Sequence, residues 1–150
     1  MNKFTAAVAA SILSGSVLAG AHFDAGSGVT VVLSDSHDSS LQTTTTKRCK
    51  VLHNFFVPMF SAYGGSRDER IWVEIDDGGI RSIQSYMLVS DGESYSFFVM
   101  DDDRELLHEL YQGTVLYAYL TIAGVKELVE SYELEGYKSS AMKSLKECDE

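Results

Sequence analysis

The sequence predicts a single α+β domain in which a mainly antiparallel sheet is covered by two helices. The chain has 150 residues, of which 45% are hydrophobic, and this suffices for one core of ordinary size. Segments that alternate between apolar and polar residues, as strands do, recur along most of the chain. Apolar residues at helical spacing mark one segment in the middle and one at the end, and this order favours an α+β fold.

The N-terminal segment, residues 1–21, is predicted to be a signal peptide. Lys3 supplies a positive charge, residues 4–18 form an uncharged apolar run, and Ala19-Gly20-Ala21 matches an A-x-A cleavage pattern. Polar residues interrupt the run, which disfavours a membrane-spanning helix. We therefore expect cleavage before His22, a mature domain of residues 22–150 without a stable membrane anchor, and a periplasmic or secreted location.

The first part of the mature chain predicts strands separated by polar loops. Residues 22–28 are small and polar and indicate a frayed lead-in. Val29 to Leu33 and the longer apolar run of residues 41–60 predict strands, and within the second run Thr43 to Thr46 has the composition of an exposed edge. The Tyr-Gly-Gly-Ser sequence of residues 63–66 predicts a turn.

The middle of the chain predicts three more strands and a helix. Arg70 to Asp76 alternates strictly, which is typical of a half-buried strand. Asp91-Gly92 predicts a hairpin between the strands on either side of it. Asp102, with Glu105 three residues later, resembles a capping box, and it predicts a helix over residues 103–112 that ends at Gly113.

The end of the chain predicts a strand, an ambiguous segment and a closing helix. Residues 115–122 alternate again, whereas residues 125–134 fit either a helix or a strand, and Ala123-Gly124 favours a hairpin there. The closing helix carries one apolar stripe that directs Cys148 toward the protein: Tyr137, Ala141, Leu145 and Cys148.

The two cysteines, Cys49 and Cys148, are predicted to form a disulfide. An exported protein meets an oxidising compartment, where such a bond persists. Neither cysteine belongs to a C-x-x-C motif or has a histidine at ligand spacing, so a structural bond is favoured over a metal site or a nucleophile.

The net charge bears on the class of partner. Twelve basic and 22 acidic residues give −10, and loss of residues 1–21 would remove Lys3 alone and leave −11. Such a charge disfavours nucleic acid and anionic membranes and favours a basic protein partner.

No residue pattern specifies a reaction, and we predict no catalytic residue, metal or cofactor. The chain lacks a G-x-S-x-G elbow, and His108-Glu109 lacks the second histidine of a zinc protease motif. The Ser-Asp-Ser-His-Asp sequence of residues 34–38 has the residue types of a catalytic triad, but sequence neighbours on a loop rarely face one another. For Asp35, His37 and Asp38 near His22, a polar loop is favoured over a weak cation site.

Three aromatic residues, Trp72, Tyr117 and Tyr119, lie opposite the aliphatic face of their strands. They predict either a second buried layer under a helix, which is the commoner arrangement, or an exposed surface for a protein partner.

The order of these features resembles a family-level pattern. The features are Ser40-Leu41 leading to Arg48-Cys49, the strand of residues 70–76, the segment of residues 94–100 before a helix, and the closing segment from Leu134 to Cys148. From about Leu41 onward this pattern is similar to the small exported proteins of the VasI (type VI secretion-associated) and invasion-associated locus B type. The resemblance implies an exported, non-catalytic domain with paired cysteines.

The sequence thus predicts an exported protein that binds an envelope or secreted protein, either as an accessory factor or as an inhibitor or immunity-like protein. The alternative is a small cell-wall or glycan hydrolase that uses a pair of carboxylates, since 22 acidic residues offer many candidate pairs.

Overall fold

The computed structural model describes residues 20–58, 68–90, 94–122 and 124–149. These residues form nine strands and three short helices. The strands are β1 (Ala21–Asp24), β2 (Val29–Leu33), β3 (Ser40–Thr45), β4 (Val51–Pro58), β5 (Asp68–Ile75), β6 (Arg81–Ser90), β7 (Ser94–Asp101), β8 (Val115–Ile122) and β9 (Val125–Glu133). The helices are α1 (Glu105–Gln112), α2 (Tyr137–Ser144) and α3 (Lys146–Asp149).

The nine strands form one antiparallel sheet in the order β1-β2-β3-β4-β7-β6-β5-β8-β9. The sheet curls until its two ends approach each other. Ser34, just after β2, forms a bridge with Tyr132 of β9, and the amide of Asp35 donates to the carbonyl of Ser131 at 2.9 Å. The curl gives the sheet a concave inner face and a convex outer face.

The predicted fold class is wrong. The helices have eight, eight and four residues, whereas the strands have up to ten, so the molecule is a curled β-sheet with small helices rather than a sheet covered by two helices. The reason is that the sheet encloses much of the core by its own curvature. Helical stripes as short as those of α1 and α2 add to that core but cannot cover a nine-stranded sheet.

The core lies on the inner face of the sheet. Alternate residues of the strands point into it, among them Phe55, Ile71 and Phe97, which are fully buried. The helices contribute Leu106, Leu107 and Leu110 from α1, and Tyr137, Ala141 and Leu145 from α2 and its end. Helix α2 contacts β1, β2 and β3.

Two local predictions about strands are wrong. Residues 22–24 of the predicted lead-in belong to β1, in which His22 pairs with Val31 of β2. The threonines of β3 do not lie at an edge, because β3 pairs with β2 on one side and β4 on the other, and Thr43 is fully buried. Threonine suits an edge by composition, but the pairing of neighbouring strands decides where a strand lies.

Several other predictions about strands are confirmed. The segment that fits either a helix or a strand is a strand, β9, and it forms the favoured hairpin with β8. Strands β6 and β7 pair up to Ser90 and Ser94, as a hairpin requires, although Asp91-Gly92 lies outside the described residues. The turn predicted over residues 63–66 and residues 1–19 of the predicted signal peptide also lie outside them, and Ala21 belongs to β1.

Helix α1 begins differently from the predicted capping box. Its N-cap is Arg104, in the left-handed region at φ 56°, and no side chain of the N-cap closes the helix. Instead the carboxylate of Asp101, the last residue of β7, accepts the amides of Leu106 at 3.2 Å and Leu107 at 2.7 Å. A carboxylate at this end of a helix satisfies free amides and opposes the helix dipole.

The predicted disulfide is confirmed. Cys49 and Cys148 are bonded, with their Cα atoms 5.5 Å apart. The bond ties the turn between β3 and β4 to helix α3, so it fastens the C-terminal helices to the sheet across 99 residues of chain.

Candidate functional site

The outer face of the sheet carries a second set of large apolar side chains. Because side chains alternate along a strand, the neighbours of the core residues point outward. On β5 and β8, where Ile71, Val73 and Ala118 are buried in the core, Trp72 and Tyr119 occupy the opposite face. Helices α1 and α2 pack on the inner side of the sheet. On the outer side Val31 of β2 is fully buried in a separate small cluster with Val29, whereas β6 and β9 leave apolar side chains exposed.

Trp72, Tyr117 and Tyr119 form an aromatic patch at one end of the outer face. Trp72 lies opposite Tyr119 in the register of β5 and β8, and Tyr119 lies opposite Leu128 on β9. All three aromatic side chains are half-buried, and Leu128 is 54% exposed. This exposure is intermediate between the two predicted arrangements, a buried second layer and an exposed surface.

The aromatic patch already accommodates a positive charge. The ammonium of Lys126 lies 3.9 Å from the centre of the Trp72 ring, which is a cation–π contact. Next to it the Tyr119 hydroxyl donates to Glu74 at 3.3 Å. Desolvation, and then the charge of Glu74, raise the pKa of Tyr119, so the hydroxyl keeps its proton and remains a donor.

The middle of the outer face is more exposed than the aromatic patch. Tyr86 and Leu88 on β6 are 43% and 44% exposed, and Met100 on β7 is 50% exposed. Tyr86 lies opposite Phe98, and Met100 lies opposite Leu52 of β4. Single exposed apolar side chains are ordinary, but several on one sheet face are typical of an interaction surface.

These three residues were not among the predicted surface residues, although the sequence contains a signal for them. In β6, Tyr86 and Leu88 alternate with Ser85 and Met87, which are buried. A strand in which apolar residues occupy both faces indicates either burial on both sides or an exposed apolar face.

A buried polar chain crosses the inner face. Nδ1 of His53 lies 2.9 Å from the hydroxyl of Thr43, and its Nε2 lies 2.9 Å from Oδ2 of Asp101. The Thr43 hydroxyl is also 2.6 Å from the hydroxyl of Tyr137. Since Asp101 in turn holds the first amides of α1, the chain connects three strands with both longer helices.

Thr43, His53 and Asp101 are the residue types of a nucleophile, a base and an acid, but their surroundings do not fit catalysis. Thr43 and His53 are completely buried, and Asp101 is 7% exposed. The Thr43 hydroxyl already contacts His53 and the hydroxyl of Tyr137, and it has no solvent-exposed surface at which a substrate could meet a nucleophile. We therefore interpret this buried polar chain as a structural hydrogen-bond network.

The charge of Asp101 is stabilised within this network. Burial alone raises the pKa of its carboxyl, but hydrogen bonds from His53, Leu107 and Leu106, together with the electrostatic attraction of His53, outweigh burial and hold the pKa below its ordinary value. Burial raises the pKa of Tyr137 far above its ordinary value, so this hydroxyl is protonated.

A cleft of about 290 Å³ lies at the surface beside Asp101. Its lining combines apolar residues, among them Ile83 and Leu106, with the acidic residues Asp102, Asp103 and Glu105. Arg81, also in the lining, is paired with Glu109, and Asp102 is paired with Lys50 at 2.8 Å.

The loop after β2 does not form the triad that its residue types suggest. Ser36 donates to Glu130 and Ser131 donates to Asp35, so these residues fasten the loop to β9. His37 stands in the left-handed region at φ 63°. Among the described residues, no group of three or more histidine, cysteine, aspartate or glutamate side chains is placed to hold a metal ion.

Comparisons with protein-family models, with curated proteins and with experimentally determined structures found no match to this chain. Of the helices in the described ranges, none has the length and hydropathy needed to cross a membrane.

Proposed function

We propose that this chain is an exported, non-catalytic protein that binds another envelope or secreted protein through the outer face of its sheet. The observation that carries the proposal is the placement of Tyr86, Leu88, Met100 and Leu128, each more than 40% exposed, on a sheet whose described helices pack on the other side. Burying such side chains against a partner would release the water that now covers them.

The partner is a basic protein. The chain has a net charge of −10, which attracts a positively charged surface and repels an acidic one. The aromatic patch suits the same partner, because the contact of Lys126 with Trp72 shows that this ring can take a cation. An arginine from the partner would take the place of Lys126 on the Trp72 ring, near the carboxylate of Glu74 beside Tyr119.

Export is supported by the disulfide and by the first 21 residues. A disulfide between Cys49 and Cys148 is stable in an oxidising compartment and is reduced in most cytosols. The resemblance to the VasI and invasion-associated locus B type accords with an accessory role in the envelope or in secretion. An inhibitor or immunity-like role would use the same acidic, apolar surface.

The proposal is tested by capture from envelope and secreted extracts with the tagged, oxidised chain. Leu88→Ser removes an exposed side chain of the outer face, and Met142→Ser is a matched control because Met142 is 55% exposed on helix α2. We expect one saturable protein partner, weakened by high salt and by Leu88→Ser but not by Met142→Ser. Equal capture by both variants would place binding elsewhere and overturn the proposal.

A small hydrolase with paired carboxylates is the second candidate. It is favoured by one observation, the cleft lined by Asp102, Asp103 and Glu105. A turnover assay on cell-wall and glycan substrates tests it, with Asp103→Asn and Glu105→Gln as variants. Turnover that disappears in one of these variants would establish the hydrolase and remove the binding-only account.

A further inference from the structure

In the buried polar chain, every hydrogen on a nitrogen or a hydroxyl oxygen has an acceptor only when His53 is neutral. Asp101 is an acceptor and already takes two backbone amides, so Nε2 of His53 must carry a hydrogen and donate to it. Neutral His53 then has a bare Nδ1, which accepts the hydroxyl hydrogen of Thr43. Thr43 in turn accepts the hydroxyl hydrogen of Tyr137. The two hydroxyl hydrogens therefore satisfy the two contacts, His53–Thr43 and Thr43–Tyr137.

Protonation of His53 adds a third hydrogen to the same two contacts. Nδ1, the Thr43 hydroxyl and the Tyr137 hydroxyl then each carry a hydrogen, but each of the two contacts can use only one. One hydroxyl hydrogen is therefore left without an acceptor. Within the described part of the chain, neither hydroxyl has another hydrogen-bond partner. A buried donor without an acceptor is costly because water cannot replace the lost bond.

We propose that His53 acts as a pH switch, in which protonation of its ring leaves one buried hydroxyl hydrogen of Thr43 or Tyr137 without an acceptor and loosens helix α2 from the sheet. Tyr137 is the first residue of α2, so separation of its hydroxyl from Thr43 begins at the helix start. Movement of α2 away from β1, β2 and β3 would admit water to the stranded hydroxyl. The switch is independent of what the outer face binds.

The groups that face His53 determine the direction of the effect. Asp101 from β7 attracts a charged imidazole, but its carboxylate is already compensated by the amides of Leu106 and Leu107 at the positive end of α1. Tyr137 from α2 and Thr43 from β3 are neutral hydroxyls, and Tyr111 of α1 stacks near Tyr137. The pair of Lys50 and Asp102 lies outside, at the surface.

The disulfide limits how far the loosened segment can move. Cys148 in α3, just after α2, is bonded to Cys49 in the turn between β3 and β4. A second contact, between Thr30 of β2 and Ser144 at the end of α2, lies at 2.6 Å. Opening therefore begins at Tyr137 while the other end of the helix stays attached, and the motion is reversible when the pH rises.

The first test measures ring nitrogen shifts of the oxidised wild-type chain by nuclear magnetic resonance, with His22, His37 and His108 as internal references. At pH 7.5 we expect His53 to show a protonated Nε2 and an unprotonated Nδ1. A ring protonated on both nitrogens at that pH, or on Nδ1 alone, would overturn the proposal without the need for any variant.

The second test follows hydrogen exchange in residues 137–144 from pH 7.5 to pH 5, expressed as protection factors so that the intrinsic pH effect is removed. We expect protection to fall roughly tenfold, the effect of one unsatisfied buried donor. His53→Gln, which cannot gain the proton, should lose this pH dependence. His108→Gln, at an exposed position on α1, should keep it. Unchanged or rising wild-type protection at pH 5 would contradict the switch.

Discussion

Nε2 of His53 lies 2.9 Å from Oδ2 of Asp101, and this contact joins two strands on the inner face of the sheet to the start of helix α1. The same carboxylate accepts two amides of the helix, so one aspartate satisfies three donors. The inner face thus combines an apolar core with one polar connection between its strands and its helices.

The first prediction concerns the stability that Asp101 supplies. Asp101→Asn should lower the free energy of unfolding by about 2–3 kcal/mol, because hydrogen bonds to a charged group are stronger than those to an amide. In addition, the NH₂ group of the asparagine amide would face the donors that Asp101 now accepts and would have no acceptor. Urea denaturation measures the change. Asp102→Asn is the control, since its solvent-exposed pair with Lys50 should contribute much less to stability. Equal losses in both variants would contradict the account.

The second prediction concerns the loss of stability at low pH that Asp101 should cause. The folded protein holds the pKa of Asp101 below the ordinary value of 3.8, so its ionised form favours folding. This stability is present above the unfolded pKa and is lost as the pH falls through the lower, folded pKa. Urea midpoints measured from pH 5 to pH 2 should therefore fall in wild type and fall less steeply in Asp101→Asn. Parallel curves would exclude Asp101 as a source of acid sensitivity.

The third prediction concerns the disulfide. Reduction of the Cys49–Cys148 bond, or replacement of both residues by serine, should destabilise the fold by up to about 4.7 kcal/mol, since the bond closes a loop of about 100 residues. Denaturation with and without reductant measures it, and reductant should leave the double serine variant unchanged. A wild-type protein that is equally stable after reduction would show that the C-terminal helices do not need this attachment.

The fourth prediction separates the outer face from the core. Leu88→Ser should change the free energy of unfolding by less than about 1 kcal/mol, because Leu88 is 44% exposed. Leu120→Ala, at a fully buried position on the inner face, should cost about 2–5 kcal/mol. Thermal and urea unfolding compare the two. A large loss for Leu88→Ser would mean that this side chain is part of the core and is unsuited as a probe of binding.

Local periodicity predicted most strands, because alternation depends only on neighbouring residues. It could not predict the fold class, since the curl of the sheet depends on how nine strands pair over long distances. Strand β3 shows the difference. Its threonines have the composition of an edge, and only its pairing with both β2 and β4 places Thr43 in the interior.

The buried polar chain was not predicted, although a pattern in the sequence marks it. His53 lies in phase with Val51, Phe55 and Val57 on β4, and all four are buried. Asp101 continues the phase of the buried residues of β7 in the same way. A polar residue at an apolar position of a strand indicates a buried hydrogen-bonded group. Its partners could not be predicted, because they come from distant parts of the chain.

The aromatic patch shows where prediction was partly sufficient. Alternation placed Trp72, Tyr117 and Tyr119 opposite the aliphatic core face, and the structure has them there. Whether a helix covers them could not be predicted from the sequence of their strands, because it depends on the face of the sheet on which α1 and α2 pack.

Site-specific photo-crosslinking in living cells tests binding through the outer face most directly. A photoreactive residue is placed at Leu88 on the outer face and, in a separate variant, at Met142 on helix α2, which is comparably exposed. If the outer face binds the partner, one basic protein is crosslinked at position 88 and none at position 142. Crosslinks to the same protein at position 142 alone, or no adduct at position 88 in cells that express the oxidised chain, would contradict it.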